Sequence, residues 1–323
     1  MIRIIALCAA FVAASASLCA QDIGFDNDSE LSVVLSAAFQ EFADGGTNYS
    51  DLYRKYLGVP RSAPDAGKVG KWIPLDEVTP GSTLDEVLDR GTIRMAFWRH
   101  APYYFAAADG SDTGFEFELA REMIERVNAH YGTKVAIEWI EKPFHSDGGG
   151  TENLLLYDQF SVGLLAGEYD VIFSGLIVKP DRPVAATTPT MYFFFNAVYT
   201  GKDGLTDLSA VQSTDRDTFV RYLASKPGVT LISSIGGPSE ETATALAKEA
   251  NALGGSCTAR TALIAELVQA VKEQSVHFLV GDAIALSDLA MTPGFPGLNM
   301  NVSLRAGDEY VAPITRLDPD EGE

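Results

Sequence analysis

The sequence predicts an α/β fold divided into two lobes. The chain has 323 residues, of which 46% are hydrophobic and 21% are charged, and this is enough apolar material for two cores. Residues 171–176 read VIFSGL, an apolar run with β-branched residues that is typical of a strand buried on both faces. Residues 82–98 read STLDEVLDRGTIRMAFW and predict a short helix followed by a strand over Ile93–Phe97. Helices and buried strands that alternate in this way favour parallel sheets covered by helices.

The charge of the chain argues against some classes of partner. The formal net charge is −20 and the pI is near 4.5. A protein that binds nucleic acid or an anionic membrane surface needs a basic stripe, so neither partner is expected.

The first 20 residues predict an export signal that is removed, which places the mature protein in the periplasm. Arg3 precedes an apolar stretch of signal-peptide length, and no later stretch approaches a membrane span. A lipid anchor at Cys19 is not expected, because Leu18 is bulkier than the small residue that precedes a lipidated cysteine. The exported protein is expected to be a monomer.

Residues 29–58 predict two consecutive amphipathic helices. The apolar positions of the first recur at helical spacing, and Gly45 and Gly46 end it. The second begins near Ser50 as a helix cap and stops at Gly58. The next stretch, 59–82, is rich in proline and glycine and reads as a surface linker that Trp72 anchors.

Arg182 is the first candidate for a binding residue. It follows the buried strand in the stretch KPDR, where Pro180 fits an early helix position. Ligands of open α/β sheets bind beyond the carboxyl ends of the strands, and a guanidinium there can hold both oxygens of a carboxylate. The alternative is a solvated arginine on a first helical turn.

The stretch 171–182 resembles the segment G-x-x-x-T-x-E-R of the family 3 periplasmic solute-binding proteins, which capture polar amino acids for ABC importers. APYYF and TGFEFELA, over 101–120, resemble that family's YPPFSF and GFDVDLA, and LLAGEYDVIFSG at 164–175 resembles LxxGxxDxxxxG. The resemblance implies a periplasmic binding protein-like type II fold, in which two α/β lobes joined by a hinge close on a ligand. It also implies an ABC transporter permease as partner, no cofactor and no metal.

The resemblance assigns the polar contacts to the ligand. Arg182 matches the arginine that holds the ligand carboxylate, and Gly175 and Ile177 sit where backbone and threonine groups meet the same carboxylate. Ser239 lies near a hydroxyl contact to the carboxylate, and Asp282 matches the carboxylate that binds the α-amino group.

The side-chain pocket is implied in the same way. Tyr157 falls where relatives stack an aromatic ring on the ligand, and Phe97, Trp98 and His100 occupy the loop that lines the pocket. Several binders of cationic amino acids have an acid at the position of Phe97, so a lysine-like ligand is disfavoured. Ile177 and Lys179 replace threonines that are usual in the family, so one hydroxyl contact is lost.

The order of segments departs from the family. Residues 39–58 resemble the helices that close the family's chain, whereas residues 307–323 resemble the strand that runs into those helices. We therefore expect a circular permutation, the alternative being an amphipathic hairpin of an unrelated N-terminal extension. The expected segments are a signal peptide at 1–20, closing helices of lobe 1 at 21–58, a linker at 59–82, lobe 1 at 83–198, lobe 2 at 199–298 and a return strand to lobe 1 at 299–323.

Two other functions stay open. The changes at Ile177, Lys179 and Phe97 favour a binding-fold partner of a periplasmic enzyme or sensor that has lost amino-acid binding, whereas the presence of both Arg182 and Asp282 opposes it. A cyclohexadienyl dehydratase-like enzyme would need an acid over the substrate ring, for which His100 is the candidate. No Walker loop, GxSxG elbow or metal-ligand spacing is present in the sequence, so we expect a binding protein and not an enzyme.

Overall fold

A computed structural model of the chain describes residues 29–57, 61–64, 69–99, 101–142, 160–176, 184–193, 195–208, 216–235, 238–282, 301–303 and 309–318. The helices are α1 (Glu30–Asp44), α2 (Asn48–Leu57), α3 (Thr83–Arg90), α4 (Phe115–Tyr131), α5 (Arg216–Ser225), α6 (Pro238–Ala252) and α7 (Ile264–Lys272), and a 3-10 turn spans Leu75–Glu77. The strands are β1 (Thr92–Phe97), β2 (Phe105–Ala106), β3 (Asp112–Thr113), β4 (Ala136–Glu141), β5 (Val171–Ile172), β6 (Ala185–Ala186), β7 (Met191–Phe193), β8 (Phe195–Tyr199), β9 (Thr230–Ser234), β10 (Thr258–Ala262), β11 (Phe278–Asp282), β12 (Asn301–Ser303), β13 (Glu309–Val311) and β14 (Ile314–Thr315).

The first lobe is built on a five-stranded sheet of order β4-β1-β5-β14-β6. Strand β1 runs parallel to β4 and β5, whereas β14 is antiparallel to both of its neighbours. Apolar side chains of α1, α2 and α4 cover one face, and a second cluster around Phe160, Leu164 and Tyr169 covers the other. A sheet that contains parallel strands needs cover on both faces, and this one has it.

The second lobe has its own five-stranded sheet, of order β10-β9-β11-β8-β12. Strands β10, β9 and β11 are parallel, and β8 runs antiparallel to both β11 and β12. Separate apolar clusters cover its two faces, one including residues of α5 and α6 and the other residues of α7. Two sheets with separate cores confirm the predicted α/β class with two lobes.

Helix α1 is an integral part of the core of the first lobe. Ser29 and Ser32 form a capping box at its start, in which each side chain bonds the backbone of the other residue. Val34, Leu35 and Phe39 are buried and pack in the same cluster as the apolar face of α4. The helical spacing seen in the sequence therefore corresponds to a face that is buried against the lobe.

The two distant ends of the described chain meet at the start of α1. The Glu30 N–H donates to Asp318 Oδ2 at 2.6 Å, and the Thr83 N–H at the start of α3 donates to Asp318 Oδ1 at 3.1 Å. Ser29 Oγ and Thr315 Oγ1 are 2.7 Å apart. A carboxylate placed at two helix N-termini is favourable, because backbone N–H groups there lack partners within the helix.

The stretch between α2 and α3 is attached to the first lobe. Trp72 stacks on His130 with ring centroids 4.1 Å apart, and Tyr131 donates to the carbonyl of Ile73 at 2.8 Å. The Gly70 N–H donates to Gln40 Oε1 of α1 at 2.9 Å.

Some boundaries lie elsewhere than the sequence predicts. Helix α2 begins at Asn48, two residues before the expected cap at Ser50. The strand at Phe195 already pairs in the second sheet, although the sequence places residues up to 198 in the first lobe. The residues of β8 are mostly buried, so their apolar character fits either sheet, and only the hydrogen-bonded pairing decides between them.

Candidate functional site

The candidate site begins at the carboxyl edge of the first sheet, where β1 and β5 end side by side. The Phe173 N–H donates to the carbonyl of Ala96 at 2.9 Å, and the Trp98 N–H donates to Ser174 Oγ at 2.9 Å. Gly175 follows with φ 61°, in the left-handed region that favours glycine. Open α/β sheets bind ligands at this edge, so the turn at Gly175 lies where the sequence predicts a carboxylate site.

The carboxyl group of Glu116 is hydrogen-bonded to the turn at Gly175. Glu116 is the second residue of α4 and only 2% exposed, and its Oε1 accepts the Gly175 N–H at 2.7 Å. Its Oε2 is buried and has no hydrogen-bond partner among the residues that the structure describes. Burial raises the pKa of Glu116 to about 8, although the Gly175 N–H acts in the opposite direction.

Gly114 explains why Glu116 lies so deep. Its φ is 136°, and a Cβ atom on it would lie 2.0 Å from the carbonyl oxygen of Tyr103. A side chain cannot occupy this position, so only glycine lets the start of α4 approach the Tyr103 backbone this closely. The Phe115 N–H then donates to the carbonyl of Pro102 at 3.0 Å.

The sequence analysis did not single out Glu116, although a signal was present. Positions 116, 120, 123 and 127 follow helical spacing, and the other three carry Ala120, Met123 and Val127, all of which are buried. A glutamate on the apolar stripe of a helix must either be paired or shift its pKa. Glu118, two residues on, instead lies outside the stripe and pairs with Lys55 at 2.8 Å.

Phe97 and Trp98 point to opposite faces of the first sheet, as successive strand residues do. Phe97 is 4% exposed and stacks on Tyr104, with ring centroids 4.6 Å apart. Trp98 is half-buried and packs against the cluster on the other face. Both lie at the predicted edge, and their contact with a ligand stays a prediction.

Tyr104 places a second polar atom, its hydroxyl oxygen, in the core of the first lobe. Its hydroxyl is buried without a partner among the described residues. Burial raises the pKa of Tyr104 well above its usual value, and the charge of a neighbouring Glu116 acts in the same direction. The Tyr104 hydroxyl and Glu116 Oε2 are thus two buried polar atoms without a partner among the described residues.

In the second lobe, Ser239 and Asp282 lie at one edge of the sheet. Asp282 is the last residue of β11, and Ser239 is the second residue of α6, which follows the carboxyl end of β9. Because β9 and β11 are parallel, their carboxyl ends meet at the same edge. Ser239 is partly buried, and Glu240 and Glu241 follow it in the first turn of α6, where they compete with an anion for the helix N-terminus.

The remaining predicted site residues lie outside the described residues. These are Tyr157, Ile177, Arg182 and His100. Lys179 also lies outside the described residues. Their roles stay predictions.

The described residues hold neither a cluster of metal ligands nor a membrane-spanning helix. They contain no group of three or more His, Cys, Asp or Glu residues that is able to hold a metal ion. Within the same ranges, every helix is too short or too polar to cross a membrane.

Comparison with known proteins gives matches among solved structures alone. No model of a protein family matches the chain, and no curated protein matches it. The ancestral cationic amino acid solute-binding protein AncCDT-1 is 22% identical over 75% of this chain and 87% of its own, with a TM-score of 0.48. A provisionally assigned binding component of an ABC transporter from Wolinella succinogenes DSM 1740, complexed with lysine, is 19% identical over 72% of this chain and 84% of its own, with a TM-score of 0.45. An ancestral arginine-binding protein bound to arginine is 20% identical over 72% of this chain and 86% of its own, with a TM-score of 0.41. Because these scores lie below 0.5, the fold described above rests on the sheets of this chain and not on the likeness.

Proposed function

We propose that this chain is a periplasmic solute-binding protein that captures an amino acid, or a similar small zwitterion, for an ABC importer. The observation that carries the proposal is the position of the predicted contacts at the carboxyl edges of two separate sheets. The Gly175 turn lies at such an edge in the first lobe, and Ser239 and Asp282 lie at one in the second. A ligand held from both edges would favour the closed arrangement of two lobes, which a membrane permease can recognise.

In this proposal each lobe binds one end of the zwitterion. Arg182 binds the carboxylate through its planar guanidinium, and Gly175, Ile177 and Ser239 add hydrogen bonds to it. Asp282 binds the ammonium group. Tyr157, Phe97, Trp98 and His100 surround the side chain of the ligand, which their aromatic character favours as apolar, aromatic or small.

We also propose that residues 29–57 are the closing helices of the first lobe, moved to the start of the chain by circular permutation. The 2.6 Å hydrogen bond between Glu30 and Asp318 joins positions that are 288 residues apart. This hydrogen bond supports the proposal, because in the unpermuted order the chain would run directly from β14 and Asp318 into α1 and α2. The burial of α1 in the core of the first lobe supports it further.

The test of ligand binding is thermal unfolding of the protein in the presence of each of the twenty L-amino acids. A ligand at 100 times its Kd adds about 2.7 kcal/mol to the free energy of unfolding, which raises Tm by roughly 4 °C at an unfolding entropy of about 2.1 cal/mol/K per residue. The shift is expected to vanish in Arg182→Ala and to persist in the control Arg221→Ala, which removes an exposed arginine of α5. The proposal is wrong for amino acids if none of the twenty gives a shift.

That negative result would favour the second candidate, a binding-fold partner of a periplasmic enzyme or sensor. The observation behind it is the presence of Ile177 and Lys179 where the family usually has threonine. A shift that survives Arg182→Ala would instead show a ligand bound in another way.

A further inference from the structure

Glu116 is hydrogen-bonded to the turn at Gly175, which is distant in the sequence. The two residues are 59 positions apart, and the Gly175 N–H donates to Glu116 Oε1 at 2.7 Å. Gly175 is the last but one described residue before the segment that carries Ile177 and Arg182. The contact thus joins the start of α4 to the turn at the carboxyl end of β5.

The side chain of Glu116 is confined by its surroundings. Glu116 is 2% exposed, and Gly114 brings the helix start against the Tyr103 backbone. Phe115 and Phe117 on either side are also buried, so the side chain of Glu116 is enclosed. A side chain confined in this way can fix a turn with little loss of entropy on ligand binding.

Burying this carboxyl has a cost that the fold does not offset by pairing. Oε1 has a backbone donor, but Oε2 has no partner among the described residues. A leucine or methionine here would avoid that cost, as the apolar residues elsewhere on the stripe do. An uncompensated carboxyl at the edge where ligands bind therefore points to a role beyond packing.

We propose that Glu116 is a positioning residue for the ligand site, whose carboxyl holds the Gly175 turn in the conformation that receives the carboxylate of the ligand. The inference rests on the proposed function for the identity of the ligand. It does not rest on it for the contact itself, which can be measured without any ligand.

Ligand binding should depend on pH, because the carboxyl group of Glu116 can contact the turn either protonated or ionised. Burial raises the pKa of Glu116 to about 8, so the carboxyl is neutral below that pH and ionised above it. The neutral acid still accepts the Gly175 N–H, whereas the ionised form places a negative charge behind the turn. A ligand carboxylate at the turn would then be bound more weakly above pH 8 than below it.

The pH dependence of the turn also depends on the other titratable and charged groups near α4. Tyr104 is a buried titratable group on whose pKa the charge of Glu116 acts. Several charged groups on the elements packed against α4 have partners of their own. These are Lys55 of α2 with Glu118, Asp51 of α2 with Arg54, Asp112 of β3 and Glu141 of β4 with Arg99, and Glu30 of α1 with Thr79 and Ser82.

The first experiment follows the Gly175 amide without ligand. Protein labelled with 15N-glycine is titrated from pH 6 to pH 9.5, and the Gly175 resonance is assigned by its loss in Gly175→Ala. We expect this amide to shift with a midpoint near pH 8, to lose that titration in Glu116→Gln and to keep it in the control Glu118→Gln. A Gly175 amide that does not titrate, or that titrates equally in Glu116→Gln, overturns the proposal.

The second experiment uses the twenty L-amino acids as probes at pH 6.5 and pH 8.5. For the amino acid that binds, Glu116→Gln should keep the affinity within about threefold at pH 6.5, because the amide retains an oxygen acceptor of the same size. Glu116→Leu should lose at least tenfold, and tryptophan fluorescence checks that it is folded. The parent protein should lose affinity severalfold between the two pH values, whereas Glu116→Gln should change less than twofold.

The two proposals fail in different ways. If no amino acid binds, the proposed function fails, and the Gly175 titration still decides whether Glu116 holds the turn. If an amino acid binds but Glu116→Leu keeps the affinity of the parent, the proposed function stands and the positioning role is refuted.

Discussion

Replacing Phe39 with alanine tests whether α1 belongs to the core of the first lobe. Phe39 is 1% exposed and meets the ring of Tyr49 edge-on, with centroids 5.7 Å apart. Tyr49 in turn contacts Phe115 at 6.0 Å and donates to the carbonyl of Thr190 at 2.6 Å. The substitution therefore opens a cavity between α4 and the pair of helices α1 and α2.

The expected loss in the free energy of unfolding is large for a single substitution. Truncation of a buried phenylalanine to alanine costs about 3–5 kcal/mol. With a urea m-value of about 2–3 kcal/mol/M, the midpoint should fall by about 1–2 M. The control is Glu41→Ala, an exposed position two residues further along α1, which should change stability by less than about 0.5 kcal/mol.

Tryptophan fluorescence is the appropriate signal, because the three tryptophans of the chain lie in or against the first lobe. Trp72 and Trp139 pack on the cluster that contains Phe39, and Trp98 packs on the opposite face of the same sheet. If α1 closes the lobe, fluorescence and the helical circular dichroism signal should shift together to lower urea. A loss below 1 kcal/mol, or a helical signal that fades before the fluorescence changes, would refute the reasoning and favour a dispensable N-terminal extension.

Two further predictions concern polar groups buried in the first lobe. Asp170 is fully buried and accepts hydrogen bonds from Arg90 Nη2 at 2.6 Å and Arg94 Nη2 at 2.7 Å, so Asp170→Asn should cost about 3–5 kcal/mol in urea unfolding, and a cost below 1 kcal/mol would contradict the pairing. The Tyr104 hydroxyl is buried without a partner among the described residues, so Tyr104→Phe should raise the free energy of unfolding by about 1 kcal/mol. A loss of stability in Tyr104→Phe would mean instead that an ordered water satisfies the hydroxyl.

Much of the local structure could be predicted because it depends on neighbouring residues. The apolar spacing at Val34, Leu35 and Phe39 gave α1, and the strand predicted over Ile93–Phe97 differs from β1 by one residue. Helical and strand periods are properties of the backbone, so a sequence displays them before any tertiary contact forms.

The site could be predicted only in part. Gly175, Ser239 and Asp282 lie near the carboxyl ends of strands, since a residue at the end of a buried strand reaches that edge in any α/β fold, and their contacts with a ligand stay predictions. Glu116 was missed, because its contact joins two segments that are far apart in the chain. Nothing in the immediate neighbourhood of Glu116 or of Gly175 specifies the other residue.

The sequence by itself determined the α/β class, helices α1 to α3, strands β1 and β5, and the glycine at which the candidate turn forms. The tertiary structure decided which sheet receives β8, that the start of α1 meets Asp318, and that Glu116 lies beneath Gly175. The physical reason is the range of the forces involved. Backbone geometry and hydrophobic period act within a few residues, whereas strand pairing, burial of a carboxyl and the meeting of distant chain ends exist only when the whole chain has folded.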